Sequence, residues 1–451
     1  MSAPSAQLAA LLGERAAPDW SSRFDAAERE QLTGIVRTAF IDTVACMLGG
    51  RGESASSIVA QWAGGQQAGQ PLSLPVRAGP AGLPPPMAAL INAAAGHALD
   101  FDDVGLAGHP SVVLVPTLLA LHDEGGIRGF ALVEAYAKGY AVWAELQGRM
   151  QVHLHGRGWH PTAVFGTVAA AAAAAAARRL PAAQWANAIG IAASCASGLI
   201  SNFGSMTKPL QVGRAARAGI ESAELAALGI DASPDSLDGP AGLLAALGGP
   251  GNARLDAVLP DDFERTLLRQ RPGIKKYPVC YAAHRVVDGV IDLMAAHGLR
   301  AADVAEVDAT ISTTVASVLR HHAPRTLVEA RFSLEYVVAT ALVRGALGLR
   351  DVSEQSLADP AVRALMPLVR THLVDTRCPI EPSFAYEDQV ILTTRSGQRF
   401  DSGPIRFARG HAERPLTDAE VKAKLFACVD AGEEALAEAA LRRIDEALAE
   451  R

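Results

Sequence analysis

Between about residues 25 and 255 the apolar positions recur at helical spacing, in long segments separated by turns rich in Gly and Pro. The pattern predicts helices over 31–47, 86–100, 113–122, 130–150, 160–179 and 182–199. Several are apolar nearly all round, as expected of central helices in a bundle. The unbroken alanine run 169–177 fits that picture, because alanine is the strongest helix former and lets backbones approach closely. Residues 231–260 are rich in Gly, Pro and Asp and read as a loop. The pattern then changes. Residues 304–315 alternate in part, as a strand does, and 389–394 with 398–401 form a hairpin around Ser396-Gly397. A further strand is expected near 373–376 and a helix over 330–347. From Thr417 the pattern is helical again, with Glu420 placed to complete a capping box. The reading is a mainly α protein. A large all-α domain is made from residues 1–265 and 402–451, and a smaller α+β domain, 266–401, is inserted in it. Such an insertion leaves a cleft, a favoured place for a ligand.

Composition narrows the function. A net charge of −7 without any Lys/Arg block argues against nucleic acid as a partner. The first twenty residues lack a basic start and their apolar run is broken at Glu14 and Arg15, so no signal peptide is expected. The alanine run is too short and too weakly apolar to span a bilayer, and no membrane association is expected. The five cysteines are isolated, without a C-x-x-C pair, which suggests neither a disulfide framework nor a zinc or iron–sulfur site. A reducing cytoplasm fits. Dinucleotide, ATP-binding and zinc-protease motifs are absent. Only six of the 41 basic residues are lysine, so a lysine retained next to a proline or glycine is more suggestive than usual.

Chemistry concentrates in a few stretches. Residues 97–112, HALDFDDVGLAGHPSV, place Asp100, Asp102 and Asp103 close to His97 and His109. They are open to three readings: a metal site, an acid/base site, or a solvated helix end. The metal reading lacks a second Asp-rich motif to complete a magnesium cage. Residues 156–162, GRGWHPT, set His160 before a proline, just outside the following helix. Residues 204–213, GSMTKPLQVG, read as a loop carrying Lys208 into a helix that begins after Gly213. Residues 274–284, IKKYPVCYAAH, carry Lys275 and Lys276 in apolar surroundings, and RFSLEY at 331–336 places Tyr336 at the start of a helix. Two separate lysine loops in a lysine-poor chain suggest an anion site.

HALDFDD followed by HPS, then GWHPT, TKP running into GRAA, KKYPVC with a later His, and RFSLEY: in this order the stretches resemble the MmgE/PrpD family, over most of the chain. That family includes 2-methylcitrate dehydratase, cis-aconitate decarboxylase and iminodisuccinate epimerase. The resemblance implies an all-α domain with a smaller α+β lid domain, a homodimer, a small polycarboxylate substrate, and no cofactor or metal. Its implied catalytic residues are Asp100, His109, His160, Lys208, Lys275 and Tyr336. The expected activity is that of a cofactor-independent, 2-methylcitrate dehydratase-like hydro-lyase, with an epimerase or a carboxy-lyase as alternatives. One position departs from the decarboxylase pattern. The residue after DFDD is Val104 where decarboxylase members carry a threonine, and the spacing to HPS is shorter by one.

Overall fold

The computed structural model describes residues 7–64, 82–255, 258–381 and 383–449. The first six residues of the N-terminal segment and positions 256 and 257 of the expected 231–260 loop lie outside the described residues. The fold is mainly α, and the chain divides into two compact units: Met1–Pro272 with Asp418–Arg451, and Gly273–Thr417.

The first unit opens with α1 (Leu8–Ala16), α2 (Ala26–Gly50) and α3 (Ser54–Gly64), followed by α4 (Pro85–His97), α5 (Ser111–Asp123) and α6 (Phe130–Arg149). It continues through α7 (Pro161–Ala177), α8 (Ala182–Cys195) and α9 (Thr207–Ala227) to the short α10 (Leu243–Gly248) and α11 (Thr266–Arg269). The first turn of α2 is closed by a capping box between Asp25 and Glu28. By length and composition α2 is apolar enough to cross a bilayer, but its Leu32, Val36, Phe40, Val44 and Leu48 are packed inside the unit. The alanines of α7 are fully buried from Ala169 to Ala175, where α7 packs on α6, α8 and α9.

The structure departs from the sequence pattern in several segments: α10 lies inside the expected 231–260 loop, the expected helix 330–347 is broken between Leu327–Ala330 and Leu334–Arg344, and a third departure bears on the site. Residues 207–213 were expected as loop, yet α9 already begins at Thr207, so Lys208 sits in its first turn. Pro209 is tolerated there because the first-turn N–H groups have no intrahelical acceptor. Gly213 does not start the helix. It lets α9 approach α4, since a Cβ at that position would lie 2.4 Å from the Leu90 carbonyl oxygen.

The second unit carries a four-stranded sheet of order β2-β1-β3-β4, with β1 Val304–Ser312, β2 Val369–Val374, β3 Gln389–Thr394 and β4 Arg399–Asp401. β1 pairs in parallel with β2 and antiparallel with β3. Its helices are α12 (His284–His297), α13 (Thr313–Val318), α14 (Leu327–Ala330), α15 (Leu334–Arg344), α16 (Glu354–Ala358) and α17 (Pro360–Leu365). Val286, Val290 and Leu293 of α12 share one core with Val307 and Ile311 of β1 and Val337 and Leu342 of α15. The chain then returns to the first unit with α18 (Asp418–Ala427) and α19 (Glu434–Leu448), both packed on α2.

Candidate active site

Helix α4 ends at His97, and the three acids follow in the connection to α5. They are not a solvated helix end: Asp102 and Asp103 have no exposed surface and Asp100 only 9%. Burying carboxylates costs free energy unless each finds partners, and here each finds different ones. Asp100 adopts a left-handed backbone, φ +54°, and its Oδ1 accepts from Lys208 Nζ at 2.6 Å. Asp102 Oδ2 accepts from His97 Nδ1 at 2.8 Å. Asp103 takes the Ser111 hydroxyl, which also meets the Tyr136 hydroxyl at 2.6 Å. Burial pushes the Asp103 carboxyl well above the usual range, the Ser111 hydroxyl pulls it back, and the neighbouring charges of Asp42 and Asp102 add to the rise.

The connection then makes a tight reversal. Gly105 and Gly108 exchange both backbone hydrogen bonds, at 3.0 and 2.9 Å, around Leu106 and Ala107 with φ of +51° and +58°. Two successive left-handed residues are normally Asn and Gly, and each L residue with a Cβ costs about 1–2 kcal/mol there. The strain is held by Trp143 Nε1, which donates to the Leu106 carbonyl at 3.2 Å. A Cβ on Gly108 would come within 2.9 Å of the Trp143 ring, so the reversal is packed directly onto α6. Strain of this kind persists where surrounding structure over-determines it, and active sites are a common place for it.

The turn delivers His109. Its Nδ1 lies 2.6 Å from the Asp103 backbone carbonyl and 3.3 Å from Asp102 Oδ2. A carbonyl oxygen only accepts, so Nδ1 carries a proton, and in the neutral ring Nε2 is the basic nitrogen. That Nε2 lies 3.9 Å from Asp100 Oδ1, on the side of the Lys208 ammonium. His160, the residue capping α7, is also fixed. Gln211 Nε2 donates to the Leu199 carbonyl, which turns Gln211 Oε1 toward His160 Nδ1 at 2.9 Å. Burial, and then the neighbouring His97 and Lys208, push His160 well below its ordinary value, so it is a neutral imidazole with its lone pair on Nε2. His97 stands between the other two, with ring centroids 4.9 Å from His109 and 5.6 Å from His160. Phe203 closes the group, 4.8 Å from the His160 ring and 5.1 Å from the Lys208 ammonium.

Of the six residues expected from the sequence, Asp100, His109, His160 and Lys208 are thus brought together in the first unit. Lys275 and Tyr336 belong to the second. Lys275 is almost fully buried, in the segment where the Ile274 N–H donates to the Gly410 carbonyl at 2.7 Å. Tyr336 lies in the first turn of α15, fully buried, and its hydroxyl makes no hydrogen bond among the described residues. His97, Gln211 and Phe203 were not among the expected site residues. His97, Asp102 and His109 each offer a possible metal ligand, all within 4.8 Å of one another. At His109 one ring nitrogen, Nδ1, already carries a proton held on the Asp103 carbonyl, and only Nε2 could serve a metal there.

Histidines held in place through Nδ1, beside a lysine–carboxylate pair, suit acid/base chemistry on a helical scaffold. Comparison with known proteins agrees and narrows the class. Residues 21–256 match the MmgE/PrpD N-terminal domain and residues 277–450 the MmgE/PrpD C-terminal domain. The chain belongs to the MmgE/PrpD family and is a lyase. It is 30% identical to the cis-aconitate decarboxylase of Homo sapiens over 359 residues, 76% of this chain and 73% of the relative. The Mus musculus cis-aconitate decarboxylase is similar at 30% over 363 residues, 76% of this chain and 72% of that one. A cis-aconitate decarboxylase-like protein of Aspergillus oryzae is 25% identical over 366 residues, covering 75% of this chain and 74% of that protein.

Proposed function

We propose that the protein is a cofactor-independent lyase that removes a proton from a carbon next to a carboxylate in a small di- or tricarboxylate. The observation that carries this reading is His109. Its Nδ1–H is held by a backbone carbonyl, so the basic Nε2 is presented beside Asp100 and Lys208. Taking the C–H proton onto Nε2 sends the electron pair toward the substrate carboxylate. The Lys208 ammonium is the cation on which that charge can settle, with Asp100 holding it in place. His160, neutral at physiological pH, is a second group able to accept or return a proton. Lys275 and Tyr336 remain substrate-binding groups on the strength of the family motifs. The lid role of the α+β unit, the homodimer and the cytoplasmic setting belong to the same proposal.

Dehydration of the 2-methylcitrate type is the leading reaction: the proton passes to His109, the electron pair left on carbon forms the new C=C bond and expels the hydroxyl of the adjacent carbon, and that hydroxyl takes a proton back from the His109 imidazolium to leave as water. Decarboxylation of cis-aconitate is the second reading, supported by the names of the relatives. Against it stands Val104, half-buried in the catalytic connection, which has no hydroxyl to offer a substrate. Proton NMR of the protein with EDTA and 2-methylcitrate, citrate or cis-aconitate separates the two. Replacement of the 2-methylcitrate methyl doublet by an allylic methyl singlet supports the hydro-lyase, and loss of cis-aconitate with release of CO2 supports the carboxy-lyase. Turnover abolished by the chelator and restored by a divalent metal would contradict both.

A further inference from the structure

Behind the catalytic connection lies a second layer of buried charge. Asp42 of α2 has no exposed surface, and Lys424 of α18 has 7%. Lys424 Nζ lies 2.5 Å from Asp42 Oδ1 and donates to the Phe101 carbonyl at 2.7 Å. The same ammonium sits 3.7 Å from the centroid of the Phe101 ring. Burial alone would drive the proton off this lysine. The charge of Asp42, with lesser help from the Cys46 and Cys428 thiols, outweighs it and holds the pKa above its ordinary value.

Phe101 is the residue between Asp100, which holds Lys208, and Asp102, which holds His97. Its carbonyl belongs to the peptide that leads into Asp102. Holding that peptide plane holds the backbone on which Asp102 is carried and restrains the short chain path between Asp100 and Asp102. The compact ammonium of lysine can serve a carboxylate, a carbonyl and a ring face from one point, which the planar fork of arginine does not. In a chain with only six lysines, one of them is therefore spent where no solvent reaches it.

We infer that Lys424 is a positioning residue for the catalytic connection, supplied by α18: it clamps the Phe101 carbonyl while balancing the charge of Asp42. This rests on the reading of the Asp100–His109 connection as the catalytic wall. The competing role is charge balance alone, in which Lys424 matters only because Asp42 is buried.

The test compares Lys424→Met with the doubly neutral Asp42→Asn/Lys424→Met in the full chain. Three readouts are taken: thermal stability, the long-range proton–nitrogen spectrum of histidine-labelled protein, and turnover of 2-methylcitrate and cis-aconitate. The single variant should lose stability because Asp42 is left unpaired, and the double variant should recover most of it. In both, the His97 and His109 rings should lose their single-tautomer signature, and kcat should fall about 100-fold, the cost of misplacing a catalytic group by about an ångström. A double variant that regains wild-type stability and also keeps the wild-type ring spectrum would overturn the inference. If the wild-type protein turned over neither acid, the proposed substrates would fall, while the ring spectrum would still decide the role of Lys424.

Discussion

Both units bury acids against cations, yet they do so in opposite ways. In the second unit Asp288 has no free capacity. It accepts from the Tyr277 hydroxyl at 2.6 Å and the Arg409 backbone N–H at 2.7 Å, with Arg414 at 3.4 Å. Nearby, Arg285 donates to Glu381 at 2.8 Å and to the Ala385 carbonyl at 3.0 Å, lies 3.7 Å from Asp388, and stacks on the Phe384 ring. Arginine forks of this kind stitch segments together, here Glu381 and Ala385, while the Asp388 oxygens make no hydrogen bond among the described residues. In the first unit the acids are met by a lysine at Asp100, an imidazole at Asp102 and a hydroxyl at Asp103, and His109 and His160 are each held through Nδ1. Burial of charge therefore does not by itself mark chemistry. What separates the two units is a pair of imidazoles oriented through Nδ1 beside a lysine–carboxylate pair.

The contrast can be broken from either side. The largest effect expected is on stability, in the second unit. Arg285→Met leaves Glu381 and Asp388 without their cation and should cost roughly 3–5 kcal/mol, read by denaturant unfolding, while the folded fraction keeps its turnover. Lys208→Met should do the reverse, lowering kcat/KM by roughly 100- to 1000-fold with little change in unfolding midpoint. Equal damage from the two to stability and turnover would erase the distinction.

A pH series sharpens it further. Burial pushes Asp388 up to about 7, with Arg285 pulling it down and Glu381 adding to the rise. Because the folded pKa is the higher one, the native state holds a proton that the unfolded chain has lost, and stability falls as pH rises from about 4 to 7. Asp388→Asn should therefore be more stable than wild type at pH 8 by roughly 1–4 kcal/mol, with the gap closing toward pH 4. His160 has the opposite sign. Its folded pKa is depressed, so its contribution is present above about 6.5 and is lost as the pH falls below that. The smallest effect is at the strained turn. Ala107→Gly removes a Cβ from a left-handed residue and should stabilise by at most about 1 kcal/mol in thermal unfolding, without loss of turnover.

Much of this was legible in the sequence, and the failures have physical causes. The periodic segment 130–150 became α6, Phe130–Arg149, and the alternating run at 304 became β1, because a one-sided core imposes its period on the chain. Lys208 was read as loop because Pro and Gly flank it. The reading missed that a first-turn proline is harmless and that Gly213 serves helix packing. Asp100, His109 and His160 stood out through their motifs. His97 stood in the same motif but was not placed in the catalytic set, and Gln211 carried no signal, since a glutamine inside an amphipathic helix looks ordinary. Their roles follow only from rings and amides brought together across α4, α7 and α9. Lys424 was hidden for the same reason: its sequence neighbours describe an ordinary helix, and its partners are 323 and 382 residues away in the chain.

The central claim is that His109 Nε2 is the base. The most direct test follows deuterium entering the substrate carbon next to the carboxylate, by NMR in D2O with EDTA, for wild type and His109→Gln on whichever acid the wild type turns over. The account predicts exchange or turnover in the wild type and a loss of roughly 100-fold or more in the variant, with its fold intact. Exchange at an undiminished rate in His109→Gln would contradict it and move the base elsewhere.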